Sequence, residues 1–337
     1  MSGLFGTVNG QIKNLFFENV YKSSKTTYHG VFGTASATAS FDNVHVSNMT
    51  IELEDTMNND SMNIGGLLGR LYQGSMSYCS STDVTIISKA EASNMSVGGL
   101  VGRSYGGFIN NSYAQNVNID VSNAVSAYGI GGLVGYEEVA NGGSIDHCYS
   151  TGTVSTNTPN SGGLVGRTNG YVDDSYSSVD VVSYMSFIGG ITGRSYAKGN
   201  IVNSLYLGNL YSSSVDKYIH IISGNYESLD SNYAMDSNLI NGKLTDETYG
   251  EQLRTYSDYF KEETYREVLD EISFDFSKSP EGVLPKLYAA DGETLLPNQR
   301  DNYLYKNMFN IKQMDMEKHA DDAAIVLTLD NPDNYEI

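Results

Sequence analysis

Short runs of alternating apolar and polar residues recur along the first 242 positions. Val117-Asn-Ile-Asp-Val121, Val84-Thr-Ile-Ile87 and Val179-Asp-Val-Val182 place β-branched residues largely at every second position. Alternation with β-branching predicts strands with one buried face. Ahead of these runs stands an apolar pair between glycines. It reads Gly3-Leu-Phe-Gly6, Gly30-Val-Phe-Gly33, Gly66-Leu-Leu-Gly69 and Gly99-Leu-Val-Gly102. It continues as Gly132-Leu-Val-Gly135, Gly163-Leu-Val-Gly166 and Gly190-Ile-Thr-Gly193, with a worn eighth copy at Ile221-Ile-Ser-Gly224. Successive copies lie 27 to 36 residues apart. A second phrase follows: Ile109-Asn-Asn-Ser-Tyr113, Ile145-Asp-His-Cys-Tyr149, Val172-Asp-Asp-Ser-Tyr176, Val202-Asn-Ser-Leu-Tyr206 and Leu229-Asp-Ser-Asn-Tyr233.

A period near 31 residues carrying two or three short strands fits one turn of a β-solenoid. No single coil can bury its own apolar side chains, so neighbouring coils must stack. The expected fold is all-β, a β-solenoid of about eight coils and roughly 35 Å long at the strand spacing. Leu67, Leu100, Leu133 and Leu164 should point inward. The flanking Gly66, Gly69, Gly99, Gly102, Gly132, Gly135, Gly163 and Gly166 should serve corners needing positive φ or close backbone approach. The stretch Glu52–Asn63 reads as a loop leaving the coil.

The pattern changes near Gly242, after which only 3 of the 35 glycines remain. A boundary there gives a solenoid over 1–242, a capping segment over 243–300 and the start of a following linker or domain over 301–337. In the cap, Thr245 reads as a helix N-cap. Tyr265, Val268, Leu269 and Ile272 fall at i, i+3, i+4 and i+7, which predicts a short helix. Residues 280–297 should be extended, and Ala324–Leu329 reads as a strand. The segment is expected to cover the last coil and block its open sheet edge.

Charge narrows the function. Lys and Arg number 20 and Asp and Glu 40, a formal net charge of -20. Phosphate backbones and anionic bilayers both call for the opposite sign, so the charge argues against nucleic acid and against an anionic membrane surface as partners. No apolar run has the roughly 18 residues of a membrane span. At 18% charged and 40% hydrophobic residues, the chain is globular and not an acidic disordered one.

The Gly-Gly-Leu-Val-Gly-Arg phrase followed by Ser and Tyr resembles the GLUG motif of bacterial surface proteins. Asp275-Phe-Ser277, Leu284-Pro-Lys-Leu-Tyr288 and Leu295-Leu-Pro-Asn-Gln299 resemble the segment that closes the GLUG array in Gram-positive immunoglobulin A1 metalloproteases. Asp330-Asn-Pro-Asp-Asn-Tyr-Glu-Ile337 is similar to the start of their next segment. The resemblance implies a right-handed solenoid in a secreted or wall-attached zinc endopeptidase. It implies a host glycoprotein as partner, immunoglobulin A1 foremost, together with other domains of the same chain. It places zinc in a catalytic domain elsewhere in the parent protein. His-Glu-x-x-His is absent here, and none of His29, His45, His147, His220 and His319 pairs at i, i+4. The sequence therefore predicts no catalytic residue, cofactor or metal ligand in this stretch. With the repeat opening at residue 3, the chain reads as one part of a longer protein.

Arg70, Arg103, Arg167 and Arg194 each follow the last glycine of a phrase, and Tyr72, Tyr105 and Tyr196 stand two residues on. Stacking should turn them into an Arg ladder and a Tyr ladder. They are the candidate interaction strip, since Tyr and Arg are favoured at interface centres. The plainer account is cation–π stacking at a corner. Asp146, Asp173 and Asp174 could imitate the carboxylates of a polysaccharide-active β-helix, which inverting hydrolysis sets roughly 6.5–9.5 Å apart. The alternative is a turn column of Asn110, Asp146, Asp173, Asn203 and Asp230. Glu137 and Glu138 read as solvated. Cys79 and Cys148 share a column two coils apart, about 9–10 Å, and should be free, buried thiols. Asp55, Asn58, Asn59 and Asp60 offer oxygen ligands for surface calcium, with a solvated loop as the plainer reading. Function thus divides between a non-catalytic recognition domain of the protease and an adhesin or wall stalk built from the same repeat. A polysaccharide-active enzyme comes third.

Overall fold

Each Gly phrase opens a strand that pairs in parallel with its counterpart one repeat away. Val101 sits opposite Leu68 on one side and Val134 on the other, and Val134 is opposite Val165. The result is a parallel β-solenoid. The computed structural model describes residues 3–24, 27–53, 61–88, 93–138, 143–196, 200–212, 218–225, 229–241, 243–244 and 251–304. Three sheets form its sides. The first holds seven strands, from Phe5–Val8 through Leu68–Tyr72, Val101–Tyr105, Val134–Glu138 and Val165–Thr168 to Thr192–Ser195. The second also holds seven, from Tyr28–His29 to Ile219–His220. The third is the widest and carries the second phrase and the alternating runs, as in Phe108–Asn110 and Tyr113–Val121.

Among the described residues, six coils have strands in all three sheets. The first copy lacks a second-sheet strand, and the eighth lacks a first-sheet strand, offering there only an isolated bridge from Ser223 to Thr192. The expected eight coils are therefore six complete turns with a partial one at each end.

Leu67, Leu100, Leu133 and Leu164 are fully buried. Their backbones are laddered too: Leu100 N–H donates to Leu133 O at 3.0 Å and Leu133 N–H to Leu164 O at 2.9 Å. The glycines flanking these four leucines are needed for close approach and not for positive φ. A Cβ on Gly132 would lie 2.2 Å from Gly163 O, and one on Gly135 2.4 Å from Val97 N. Left-handed corners fall instead to polar residues, among them Asn111, His147, Asp174 and Asn203 with φ of 42–49°.

Three sequence expectations need correction. The seventh copy of the second phrase is shifted by one: Ile201, not Val202, pairs with Val172, and Leu205 pairs with Tyr176. Asn203 therefore aligns with Asp174 and not Asp173. Tyr206 turns inward, where its ring packs under Gly190 and its hydroxyl meets Val179 O and Asn209 O. Glu137 is fully buried, because it alternates inward between Ser104 and Thr168 of the adjacent rungs.

The third correction concerns the cap. Glu251–Arg254 does add a parallel rung beyond Asn232–Met235 at the end of the rod. The rest runs back along the flank as a strap. Tyr113, Tyr149 and Tyr176 form a buried stack on the third sheet, with centroids 4.8 and 4.9 Å apart. The strap closes over it. Tyr176 Oη donates to Pro285 O, Tyr113 Oη to Pro297 O, and Arg300 pairs with Asp83 on the rung next to that of Tyr113. The helix is Glu262–Arg266, which buries Tyr265; Val268 and Leu269 are buried just beyond it, while Ile272 is 75% exposed. Within 280–297, Lys286–Leu287 is a strand antiparallel to Phe274–Asp275. Thr245, Gly242, the calcium candidates Asp55, Asn58, Asn59 and Asp60, and residues 305–337 with their expected strand lie outside the described residues.

Candidate functional site

The arginines after the Gly phrases alternate outward from the first sheet and stack along the rod. Arg70 is opposite Arg103, and Arg167 opposite Arg194. Between the two pairs stands Tyr136, opposite Arg103 on one side and Arg167 on the other. Like charges at rung spacing repel, and aromatic faces separate them here. Arg103 lies 5.0 Å from the Tyr136 centroid and 5.5 Å from that of Tyr128. Arg167 lies 4.7 Å from Tyr136 and 4.4 Å from Tyr196. Arg194 lies 4.2 Å from Phe187 and 4.7 Å from Tyr196, and Arg70 is 5.7 Å from Tyr72. Glu138 pairs with Arg103.

The expected Arg ladder is thus a mixed ladder of cations and rings. The Tyr ladder is shorter than expected. Tyr72 and Tyr105 stack at 5.2 Å with rings 4° from parallel. At the next rung their position belongs to Glu138, and Tyr196 joins the guanidinium stack. Tyr136, Tyr128 and Phe187 went unrecognised in the sequence, and Glu138, read there as solvated, pairs with Arg103. Tyr136 was legible, since it occupies the Arg position after Gly135. Tyr128 and Phe187 come from the second-sheet side and carry no repeat signal. The chemistry is a run of half-buried guanidiniums with stacked rings, able to meet a carboxylate bidentately or a flat apolar face.

The acidic candidates assemble differently. Asp146 and Asp173 are in register, with His147 and Asp174 at the corner beside them. Asp146 Oδ1 lies 2.9 Å from His147 Nδ1. Asp174 is pushed up to about 6, by burial first and then by the Asp173 carboxylate. The strap brings Asp270 within 3.5 Å of His147 Nε2. Asn110, Asp146 and Asp173 end their strands in register, and the left-handed corner falls one residue later than the plainer account holds, at Asn111, His147, Asp174 and Asn203, with the strap laid across it.

Cys79 and Cys148 are free and fully buried. They share a column with Ser112 and Ser175, whose hydroxyls accept the Cys79 and Cys148 N–H groups. Burial pushes the Cys79 thiol up to about 12 and raises that of Cys148. Burial likewise pushes Glu137 up to about 8, against a hydrogen bond from Thr168 Oγ1 at 2.8 Å. No helix among the described residues is long and apolar enough to cross a membrane.

A family model described as the GLUG motif matches residues 60–87. The match spans most of one coil, from the second-sheet strand Asn63–Gly65 into Ser80–Ser88. The chain therefore carries a GLUG motif within a β-solenoid repeat. No curated protein and no solved structure matches the chain.

Proposed function

We propose that this chain is a non-catalytic recognition domain of a secreted or wall-attached zinc metallopeptidase resembling the immunoglobulin A1 proteases. Its partner on this reading is a host glycoprotein, immunoglobulin A1 foremost, held for a zinc site carried by another domain of the same protein. The observation that carries the reading is the ladder of Arg70, Arg103, Tyr136, Arg167, Arg194 and Tyr196 on the first sheet. It runs over successive rungs of the first sheet, and the strap is on the third sheet. Such a face suits an extended protein or glycan chain better than a small molecule. The catalytic zinc implied by the resemblance has no His-Glu-x-x-His in this sequence, so hydrolysis is assigned elsewhere.

The test is to immobilise the chain and pass over it immunoglobulin A1 and unrelated glycoproteins. Saturable binding of immunoglobulin A1 alone supports the recognition domain. Equal binding of all of them favours an adhesin or wall stalk. Binding of none contradicts both.

A further inference from the structure

Arg167 and Arg194 stand opposite each other on adjacent rungs of the first sheet, about 4.8 Å apart at the strand spacing. Of the four ladder arginines, only Arg103 has a carboxylate partner among the described residues, Glu138. On a chain with 40 acidic and 20 basic residues, two neighbouring guanidiniums are thus left without a counter-charge. Rings flank them instead. Arg167 lies over Tyr136 and Tyr196, and Arg194 over Tyr196 and Phe187. A ring face attracts a cation but accepts none of its in-plane N–H groups. Arg167 Nε is buried without an acceptor, so its Nη groups are the donors that remain for a ligand.

The backbone bends to build one wall of this site. Phe187 holds a φ of 61°, a left-handed conformation that is strained for a bulky residue. One coil earlier the same corner is Asn160, for which the conformation is ordinary. The bend sets the Phe187 ring 4.2 Å from Arg194 and stacks it on Tyr218 at 4.5 Å. Tyr218 is 44% exposed, so an open aromatic face stands beside the cation pair.

Such a site needs a ligand rich in acceptors. An extended peptide brings one N–H per residue, which a guanidinium cannot accept. A sugar hydroxyl can turn its oxygen towards a donor. A sugar carboxylate can take two parallel N–H groups from one guanidinium, while the sugar's C–H face lies on an aromatic ring. The cationic run is broken by Tyr136 and by Glu138 on Arg103. It therefore matches one terminal charge and not a polyanion laid along the rod. Charges beyond about 8 Å are largely screened at physiological ionic strength, so the local pair and not the net charge sets the sign here.

We propose that Arg167 and Arg194, with Tyr218 beside them, bind the carboxylate-bearing sugar that ends a glycoprotein glycan. The inference rests on the reading of the ladder as a recognition face and names the chemical class that it takes.

The experiment immobilises the 337-residue chain and titrates it with 3′-sialyllactose, lactose, trigalacturonate and triglutamate. The double variant R167A/R194A, the single variant Y218A and the exposed strap control E293Q are run alongside. The expected result is saturable binding of sialyllactose, at least about tenfold tighter than lactose. The double variant should lose at least about tenfold, Y218A should also bind more weakly, and E293Q should match the wild type. Circular dichroism verifies folding, and Y218A decides if the double variant is unfolded. Lactose bound as tightly as sialyllactose, trigalacturonate or triglutamate bound as tightly or more so, or unchanged binding in the folded variants overturns the proposal. Immunoglobulin A1 held equally before and after sialidase treatment, with no sialyllactose bound, would leave the recognition reading standing and remove this site. Sialyllactose bound without immunoglobulin A1 would keep the site and remove that partner.

Discussion

Tyr149 donates its phenolic hydrogen to Gln299 Oε1 at 3.0 Å, across 150 positions of sequence. The same oxygen accepts Leu287 N–H at 2.7 Å, and Gln299 Nε2 donates to Leu287 O and Leu296 O. One glutamine thus ties the tyrosine stack to the strap's own strand. Gln299→Ala should cost about 1–3 kcal/mol, the range for leaving buried partners unsatisfied. Tyr149→Phe should cost less, since only one donor is lost. Denaturant unfolding measures both, and strap cleavage by limited proteolysis should quicken in the same order. A strap equally resistant in all three proteins would show that this contact does not hold it.

The phrase glycines and leucines act through stacking. Leu100→Ala should lose about 2–5 kcal/mol as a core truncation. Gly132→Ala should be at least as damaging, because its Cβ would collide with the Gly163 carbonyl. Gly6→Ala is the control, with open space around the added methyl. Thermal unfolding should rank Gly6→Ala nearest the wild type.

Glu137 makes stability fall with pH. Its native value of about 8 lies above the ordinary 4.5, so the folded chain holds the proton more tightly than the unfolded one. The contribution is full below about pH 4.5 and is lost progressively as pH rises through about 8. Glu137→Gln carries no such charge, so its unfolding free energy relative to wild type should rise between pH 5 and 8.5, by an amount on the order of a few kcal/mol. Parallel pH profiles for the two proteins would contradict this.

Cys79 and Cys148 should resist thiol reagents in the folded state. Only the thiolate attacks, and burial keeps both protonated. Labelling at pH 8 should be slow in buffer and complete for both thiols in denaturant. Fast native labelling would mean that the coils open locally at these rungs.

Whatever repeats was legible in the sequence. The period gave the coils, the inward leucines and the buried cysteines, because each residue's main partner lies one repeat away in the same column. The guanidinium column followed for the same reason, though Tyr136 broke it. What failed was non-periodic. The seventh copy slipped by one, since Tyr206 imitates the phrase tyrosine while filling interior space beside Gly190. Glu137 looked solvated because its type outweighed its alternation. The strap's path over Tyr113, Tyr149 and Tyr176 left no local trace. Nor did the approach of Asp270 to His147, which joins elements 123 residues apart.

The central claim is that the guanidinium–aromatic face recognises a glycoprotein. Surface plasmon resonance of immunoglobulin A1 on the wild type and on the double variant Arg103→Ala with Arg167→Ala tests it most directly. Both proteins must first share one circular dichroism spectrum. The account predicts saturable binding that weakens at least about tenfold in the double variant, as for paired hot-spot losses. Equal binding by both proteins, or none by the wild type, would contradict it.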